Sequence, residues 1–292
     1  MKKSFILLHT AVLLAGFTGI LGRLISINEV FLTWFRVFFS GILLYGILKI
    51  TQRFKSYRRE EVIKIGISGM LPGLFWLFFY ASIKYSNVSV AVVCFCLTGF
   101  FTAVLNPLLN RRSFSLAELL LSSLTVAGIC LIFHFDASYR AGILLGIVSS
   151  LFGSLYTLVN EKLVREYDNA MINYYQLTGA SLGIGLLLPV YAHIFPSQPM
   201  LPTAMDIFYL FLLSLFCTIG LYMLVAEALK KISAFTVNLS FNLEPVYSIV
   251  LAVLIFKENK ALNGAFYIGL FLILLSVLFQ MLLVAARNRG SA

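Results

Sequence analysis

The second half of this chain restates the first, and each half contains five long apolar segments. Residues 84–133 align without a gap with residues 230–279, a shift of 146 positions in a chain of 292 residues, and the aligned identities include Phe95 with Phe241. An odd number of membrane crossings in each half would give the two halves opposite orientations. Such inverted repeats are the sequence signature of secondary transporters.

The apolar segments are long enough to cross a lipid bilayer. Hydrophobic residues make up 60% of the chain and charged residues only 12%, which leaves too little polar surface for a soluble domain of this size. The apolar runs are continuous rather than alternating, which favours helices over a β-barrel. Windows of about 20 apolar residues predict ten helices near residues 4–22, 31–50, 64–83, 89–109, 116–135, 141–160, 171–194, 206–229, 234–256 and 264–286. We therefore predict an all-α integral membrane protein with ten transmembrane helices, arranged as two inverted five-helix repeats at residues 1–138 and 139–292.

The charge of the chain is strongly positive and unevenly distributed. The formal net charge is +10, and with the N-terminus in the cytoplasm sixteen of the 22 Lys and Arg residues fall on the inner side. This bias predicts a multi-pass protein of the cell inner membrane with both termini cytoplasmic. We interpret the basic loop at residues 49–64 as a contact with anionic membrane lipids, and we expect no nucleic-acid partner.

The N-terminal segment and the cysteines are interpreted as parts of the membrane domain. Met1, Lys2 and Lys3 precede an apolar run without a convincing cleavage site, so we expect an uncleaved first helix. The four cysteines fall within predicted spans, where apolar thiols are expected rather than disulfides. Cys94 and Cys96 would point about 200° apart on a helix, which argues against a shared metal. We predict neither a metal site nor a cofactor.

Several short motifs resemble the EamA family of the drug/metabolite transporter superfamily. They are Asn242-Leu243-Glu244-Pro245-Val246, Leu254-Ile255-Phe256-Lys257-Glu258, Gly264 with Gly269–Ile273, the segment Phe31–Val37 around Arg36, and the span ends Ala81–Lys84 and Ala228–Lys230. The first half has Gly99 and Arg112 where the second half has Pro245 and Glu258. The resemblance implies a cavity near the membrane midplane that is formed mainly by spans one, three, four, six, eight and nine and opens alternately to each side.

Glu244 is one of two ionisable side chains that stand out within the predicted spans, where a charge costs about 2.5–3.5 kcal/mol. It lies near the middle of span nine, immediately before Pro245. Proline cannot donate a backbone N–H, so a carbonyl near Phe241 is left free to bind substrate or to act as a hinge. Pro72 in span three is a second predicted hinge. The carboxylate could carry a coupling proton, pair with a cationic substrate or bond to a neighbouring helix, and the sequence leaves open both this choice and the face of span nine that lines the cavity.

Arg36 is the second such side chain. Its long stem could carry the guanidinium to the headgroup region, which would make Arg36 an interface anchor. Alternatively, the planar guanidinium suits a carboxylate or a phosphate and would bind an anion. Gln176 occupies the corresponding place in span seven, so the repeat keeps polarity but not charge at this position.

Aromatic and amide side chains in the cavity-forming spans complete the predicted binding site. Together with Glu244, the predicted substrate-binding residues are Trp76, Tyr80, Tyr156, Asn160, Tyr222, Asn238 and Asn242. Trp76 and Tyr80 are four positions apart and share a helix face, as do Tyr156 and Asn160.

Small residues recur at every fourth position in three predicted spans. The ladders are Gly142, Gly146, Ser150 and Ser154 in span six, Gly69 and Gly73 in span three, and Gly179 and Gly183 in span seven. Such ladders allow helices to pack closely. The sequence does not decide whether they serve internal contacts or sliding between the repeats, and the oligomeric state stays open.

The sequence contains no enzyme signature. It has no glycine-rich phosphate loop, no HExxH motif and no convincing set of nucleophile, base and orienting residue. We therefore expect a secondary transporter that exports a small polar or amphipathic metabolite, such as an amino acid, across the inner membrane by alternating access. The alternatives are a polytopic membrane enzyme that acts on lipid-linked substrates and a passive channel or facilitator.

Overall fold

The computed structural model describes residues 2–110, 113–134, 139–257 and 264–289, which form helices joined by short loops. The described α-helices are α1 (Lys2–Leu24), α2 (Glu29–Ile50), α3 (Arg59–Ser68), α4 (Met70–Tyr85), α5 (Val88–Phe95), α6 (Leu97–Asn110), α7 (Leu116–His134), α8 (Arg140–Glu166), α9 (Asn169–Gly185), α10 (Leu188–Ile194), α11 (Ala204–Ser214), α12 (Leu221–Leu229), α13 (Ala234–Ser240), α14 (Glu244–Phe256) and α15 (Gly264–Arg289). No strand occurs within these ranges, so the described chain is all-helical. Arg112 and Glu258, which the repeat makes equivalent, lie outside the described residues.

Eight helical segments of the described residues are long and apolar enough to cross a membrane. They are Lys3–Leu24, Glu29–Ile50, Arg59–Tyr85, Val88–Asn110, Arg140–Glu166, Asn169–Ile194, Ala204–Leu229 and Ala234–Phe256. Two shorter apolar stretches, Leu116–Leu131 and Tyr267–Ser276, lie within the predicted fifth and tenth spans. These segments are those of a multi-pass membrane protein, and the count of ten spans stays a prediction.

Polar side chains in the loops start several of these helices. The Asn28 side chain accepts hydrogen bonds from the backbone N–H groups of Val30 and Phe31 at the start of α2. Other helices are capped in the same way, α5 by Asn87, α9 by Asp168, α11 by Thr203 and α13 by Ser233. Each cap satisfies N–H groups that the first helical turn leaves without a partner.

Several membrane-crossing segments are interrupted. In the fourth span α5 ends at Phe95 and α6 begins at Leu97, and in the ninth span a 3₁₀ turn at Phe241–Leu243 separates α13 from α14. The two breaks are 146 positions apart, which is the shift that relates the two halves. The predicted hinge residues also lie at interruptions, since Pro72 is in the first turn of α4 and Pro245 is in the first turn of α14. Proline is tolerated there because first-turn N–H groups have no helical acceptor.

Helices of the first half pack mainly against helices of the second half. The most extensive contacts pair α4 with α8, α7 with α15, α2 with α9 and α1 with α12. Under the shift of 146 positions, α4 corresponds to α12 and α1 corresponds to α8. The contact of α4 with α8 is therefore the counterpart of the contact of α1 with α12.

The predicted small-residue ladders lie at helix contacts within the chain. A Cβ atom at Gly179 in α9 would lie 1.9 Å from the carbonyl oxygen of Gly66 in α3. A Cβ atom at Gly146 in α8 would lie 2.6 Å from the Cβ atom of Cys94 in α5. These close approaches show that the ladders serve packing inside one chain.

Gly179→Ala should destabilise the protein, because the Gly66 carbonyl belongs to a helix backbone and cannot move aside as a side-chain tip can. We expect the free energy of unfolding to fall by about 1–3 kcal/mol, as in other overpacked interiors. Thermal unfolding of the purified protein in detergent measures the change.

Gly46→Ala is the matched control for this substitution. No described atom outside its own helix lies within 4 Å of a Cβ atom built at Gly46. Alanine should be neutral there or stabilising by up to about 1 kcal/mol, because it has the higher helix propensity. Equal unfolding temperatures for the two variants would contradict the close packing of α3 against α9.

Candidate functional site

A small cavity lies between helices of both halves, with a volume of about 40 Å³. Its aromatic lining residues are Phe75, Trp76, Phe79, Phe95, Tyr156, Tyr222 and Phe241. Its other lining residues are Ala15, Gly153, Thr157, Leu221, Val225, Val237, Asn238 and Glu244. We call this space the central cavity. Its lining residues come from spans one, three, four, six, eight and nine. Those are the spans that the family resemblance implies.

The central cavity brings together five of the predicted substrate-binding residues. They are Trp76, Tyr156, Tyr222, Asn238 and Glu244. The other three, Tyr80, Asn160 and Asn242, are buried but do not belong to the described lining. Substrate contact by any of these residues stays a prediction.

Two pairs of residues at equivalent positions of the two halves are in contact at the central cavity. Trp76 and Tyr222 are 146 positions apart, their ring centroids are separated by 6.4 Å, and the indole N–H of Trp76 donates a hydrogen bond to the Tyr222 hydroxyl. Phe95 and Phe241 have the same sequence separation, and their ring centroids lie 6.1 Å apart in an edge-to-face arrangement. Equivalent residues of two copies related by a two-fold axis can touch only close to that axis. Equivalent positions of the two halves therefore meet at the cavity wall.

Glu244 contributes a carboxylate to the central cavity. The residue is 3% exposed, and the described residues form no hydrogen bond or ion pair with the carboxylate. The 3₁₀ turn in span nine allows the Glu244 side chain and the Asn238 side chain to line the same cavity. Asn238 and Glu244 lie on different sides of an unbroken helical wheel, yet both line the cavity because α13 and α14 are separate helices.

Arg36 is fully buried beside the cavity. Its Nε donates to Thr218 Oγ1 at 2.7 Å, its Nη2 donates to the Cys217 carbonyl oxygen at 2.7 Å, and its Nη1 donates to the Tyr80 hydroxyl. Its Cζ atom lies 3.4 Å from the ring centroid of Trp76, which makes a cation–π contact. Protein groups therefore enclose the guanidinium, and its role as an interface anchor or as an anion-binding group stays a prediction. It joins groups of spans three and eight without belonging to the described cavity lining.

A π-helical turn in the eighth span forms part of the Arg36 site. Residues Leu215–Gly220 form this turn between α11 and α12, and Thr218 Oγ1 donates to the Leu213 carbonyl oxygen at 3.0 Å. Such turns redirect groups within a helix and recur at functional sites. Arg36 binds two groups of the turn, the Cys217 carbonyl and the Thr218 hydroxyl. The largely apolar sequence of residues 215–220 does not indicate a π-helical turn, so Thr218 cannot be predicted from the sequence as a partner of Arg36.

A second hydrogen-bonded group adjoins the central cavity and joins spans four, six and nine. Thr157 Oγ1 donates to Asn238 Oδ1 at 2.9 Å, and Asn238 Nδ2 donates to Thr102 Oγ1 at 2.7 Å. The hydroxyls of Thr102 and Ser154 lie 2.9 Å apart. We call these four residues the polar cluster. The sequence predicts only Asn238 among them, because Ser and Thr on helices commonly bond to their own backbone and give no distinct signal.

The remaining predicted amides are bonded outside the cavity. Asn160 Oδ1 accepts a hydrogen bond from Gln176 Nε2 at 2.8 Å, and the same amide nitrogen lies 3.0 Å from Ser68 Oγ. Asn242 Nδ2 donates to Thr125 Oγ1 at 3.4 Å. Within the described ranges, no three His, Cys, Asp or Glu side chains come together as a candidate metal site.

The sequence matches the model of the EamA-like transporter family at residues 2–134 and again at residues 140–282. The chain belongs to the EamA-like transporter family. It is similar to an uncharacterized transporter of Clostridium kluyveri, with 25% identity over 193 residues that cover 62% of this chain and 60% of that relative. A solved structure titled "Crystal structure of protein" shares the fold, with a TM-score of 0.71 at 17% identity over 97% of this chain and 98% of that one.

Membership of the EamA-like family confirms the resemblance that the sequence motifs indicate. The family and the name of the Clostridium kluyveri relative point to a transporter rather than to an enzyme. The apolar helices of this EamA-like chain agree with a multi-pass membrane protein. The central cavity is accordingly the candidate functional site.

Proposed function

We propose that this EamA-like protein is a secondary transporter that carries a small metabolite through the central cavity. The contact between Trp76 and Tyr222 carries this proposal, because it joins equivalent positions of the two halves at the cavity wall. Two halves that meet at one cavity can move against each other and expose the cavity to each side in turn. The protein would then work by alternating access.

We treat residues 1–138 and 139–292 as two inverted repeats of five spans each. The two separate family matches support this division, as do the helix breaks 146 positions apart. The counterpart contacts of α4 with α8 and of α1 with α12 support a two-fold relation between the repeats. With ten spans, both termini lie on the same side, and the excess of Lys and Arg favours the cytoplasmic side of the inner membrane.

The transport cycle requires the central cavity to expand. Its volume of about 40 Å³ is far below the roughly 300–1,000 Å³ of ordinary ligand pockets. With a cytoplasmic N-terminus, the polar cluster lies on the cytoplasmic side of the cavity, where its hydrogen bonds hold three spans together. We propose that these bonds break when the cavity opens inward, and that the spans bend at the interruptions near Pro72 and Pro245.

The proposed cargo is a small polar or amphipathic metabolite, such as an amino acid or a related compound, that is exported from the cell. The aromatic rings would contact the apolar part of the cargo, and Thr157, Asn238 and Glu244 offer polar contacts. Glu244 is also where a coupling proton would bind, because its carboxylate is the acidic group of the described cavity lining.

Proteoliposomes test this function directly. Liposomes that contain the protein and are loaded with a mixture of amino acids and biogenic amines should release at least one compound faster than protein-free liposomes, as measured by mass spectrometry. Val225→Phe should slow this release by about tenfold or more, because the added ring overfills the small cavity that Val225 lines. Val190→Phe, at a position that is 57% exposed on the outer surface of the helices, should keep the wild-type rate. The transporter proposal fails if correctly inserted, monodisperse protein releases no compound faster than empty liposomes do.

A further inference from the structure

We propose that the central cavity selects a monovalent organic ammonium ion, whose ammonium group binds Glu244 and the aromatic faces around it. This assignment rests on the proposed transport function and narrows the cargo from a small metabolite to an amine. It follows from the charge, the hydrogen bonding and the aromatic lining of the cavity.

The Glu244 carboxylate is the first observation that points to a cation. A buried carboxylate normally has a hydrogen-bond donor or a positive charge in contact with it, because its desolvation is costly. Glu244 is 3% exposed and has neither among the described residues. Its natural partner is therefore a positive group that enters the cavity.

The aromatic lining is the second observation. Tyr156 and Tyr222 have ring centroids 5.3 Å apart and ring planes inclined by 33°, and Trp76 contacts Tyr222 from the other half of the chain. Aromatic faces attract cations, and cages of several rings recognise ammonium groups in proteins. Acidic and aromatic groups in one cavity suit an ammonium group attached to an apolar body.

Arg36 explains why the ligand should carry a single positive charge. Its Cζ atom lies 3.4 Å from the centroid of the Trp76 ring, which lines the cavity, yet no ion pair within 4 Å joins Arg36 to Glu244 in the described chain. Instead it donates to Thr218, Cys217 and Tyr80. This fixed positive charge beside the cavity would repel a dication more strongly than a monocation.

The same arrangement disfavours ligands with a carboxylate. The described cavity lining includes no Lys, Arg or His side chain that could pair with a negative group. Arg36 lies behind Trp76, and each of its three guanidinium nitrogens donates to a protein group, so it does not supply an anion site in the cavity. An amine should therefore bind more tightly than the corresponding amino acid or acid.

Tryptophan fluorescence provides a direct binding assay. The chain contains two tryptophans, and Trp34 lies away from the cavity, where its indole N–H donates to the Ser181 carbonyl oxygen at 3.1 Å. In a Trp34→Phe background, emission therefore reports on Trp76 in the cavity wall. The probes are 2-phenylethylamine, 2-phenylethanol, 3-phenylpropanoate and phenylalanine, which share one aromatic body and differ in charge. We expect a saturable change in Trp76 emission on addition of 2-phenylethylamine, and weaker binding of the other three compounds.

Glu244→Gln separates the role of the charge from that of the shape. The variant should bind 2-phenylethylamine about tenfold to hundredfold more weakly, which corresponds to the loss of one charged hydrogen bond, and should bind 2-phenylethanol as the parent protein does. Glu227→Gln is the matched control, because Glu227 pairs with Lys230 at 2.8 Å with half of its side chain exposed. The affinity of the Glu227→Gln variant for 2-phenylethylamine should differ from that of the parent protein by less than about twofold.

The probe series on the parent protein decides the question even if Glu244→Gln does not fold. Binding of 3-phenylpropanoate, 2-phenylethanol or phenylalanine as tightly as the amine would overturn the assignment, as would no saturable response to the amine. Equal loss of amine binding in Glu244→Gln and Glu227→Gln would also overturn it. Release of an acid or a neutral compound from proteoliposomes would leave the transport function intact, whereas release of no compound would contradict that function itself.

Discussion

Arg36→Lys should lower the free energy of unfolding by about 2–4 kcal/mol. The substitution keeps a positive charge but replaces a planar fork of donors with one ammonium group. The native guanidinium donates to Thr218, Cys217 and Tyr80, which lie on two different spans. A lysine ammonium cannot reach all three acceptors, so at least one buried polar group loses its partner, at a cost of about 1–3 kcal/mol.

Arg53→Lys is the matched control for this effect. Arg53 is exposed in the loop after α2, so its replacement should change the free energy of unfolding by less than about 0.5 kcal/mol. Unfolding of both variants in the same detergent, followed by tryptophan emission, measures the difference. If the two variants unfold at the same temperature, Arg36 does not hold spans three and eight together as the hydrogen bonds indicate.

Arg36 also supports the cavity wall. Its guanidinium lies 3.4 Å from the Trp76 ring centroid, and the Trp76 indole bonds to Tyr222 in the other half of the chain. A shorter, unbranched head at position 36 would remove the planar surface against which Trp76 rests. The same variant should therefore shift the tryptophan emission of the folded protein, which Arg53→Lys should not do.

Much of the fold can be predicted from the apolar pattern. The predicted ninth span at residues 234–256 matches Ala234–Phe256, and the predicted second span at residues 31–50 lies within Glu29–Ile50. A long apolar segment forms a helix because lipid offers no hydrogen bonds to its backbone. Helix interruptions are harder to predict from the sequence. Pro245 indicates the break in span nine, whereas no proline marks the equivalent break at Cys96.

The site is harder to predict because its contacts join residues that are far apart in the sequence. Arg36 bonds to Thr218, 182 positions away, so the sequence alone cannot separate a buried structural arginine from an interface anchor. Trp76 and Tyr222 can each be predicted as cavity residues from their spans. Their contact with each other follows only when the two-fold relation between the halves is taken into account.

Alternating access predicts that position 225 can be reached from both sides of the membrane. Val225 lines the central cavity and is 5% exposed. Cysteine is close to valine in size, so Val225→Cys in a cysteine-free background should keep the cavity intact. The new thiol should react with a membrane-impermeant thiol reagent in right-side-out vesicles and also in inside-out vesicles, because each side gains access in turn.

A cross-link at the polar cluster should remove access from one side only. Thr102 and Asn238 are joined by a hydrogen bond of 2.7 Å between spans four and nine, so cysteines at both positions can be linked by a short bifunctional reagent. The link should hold the cytoplasmic side closed while the opposite side stays free to open. Ser197→Cys, in the exposed loop between α10 and α11, serves as the control whose labelling the link should not change.

Labelling of Val225→Cys before and after this cross-link is the most direct test of a cavity that opens to each side in turn. We predict labelling in both vesicle orientations before the link. After the link, labelling should fall by about tenfold or more in inside-out vesicles and persist in right-side-out vesicles. Labelling from one side only before the link, or equal loss from both sides after it, would contradict alternating access through the central cavity.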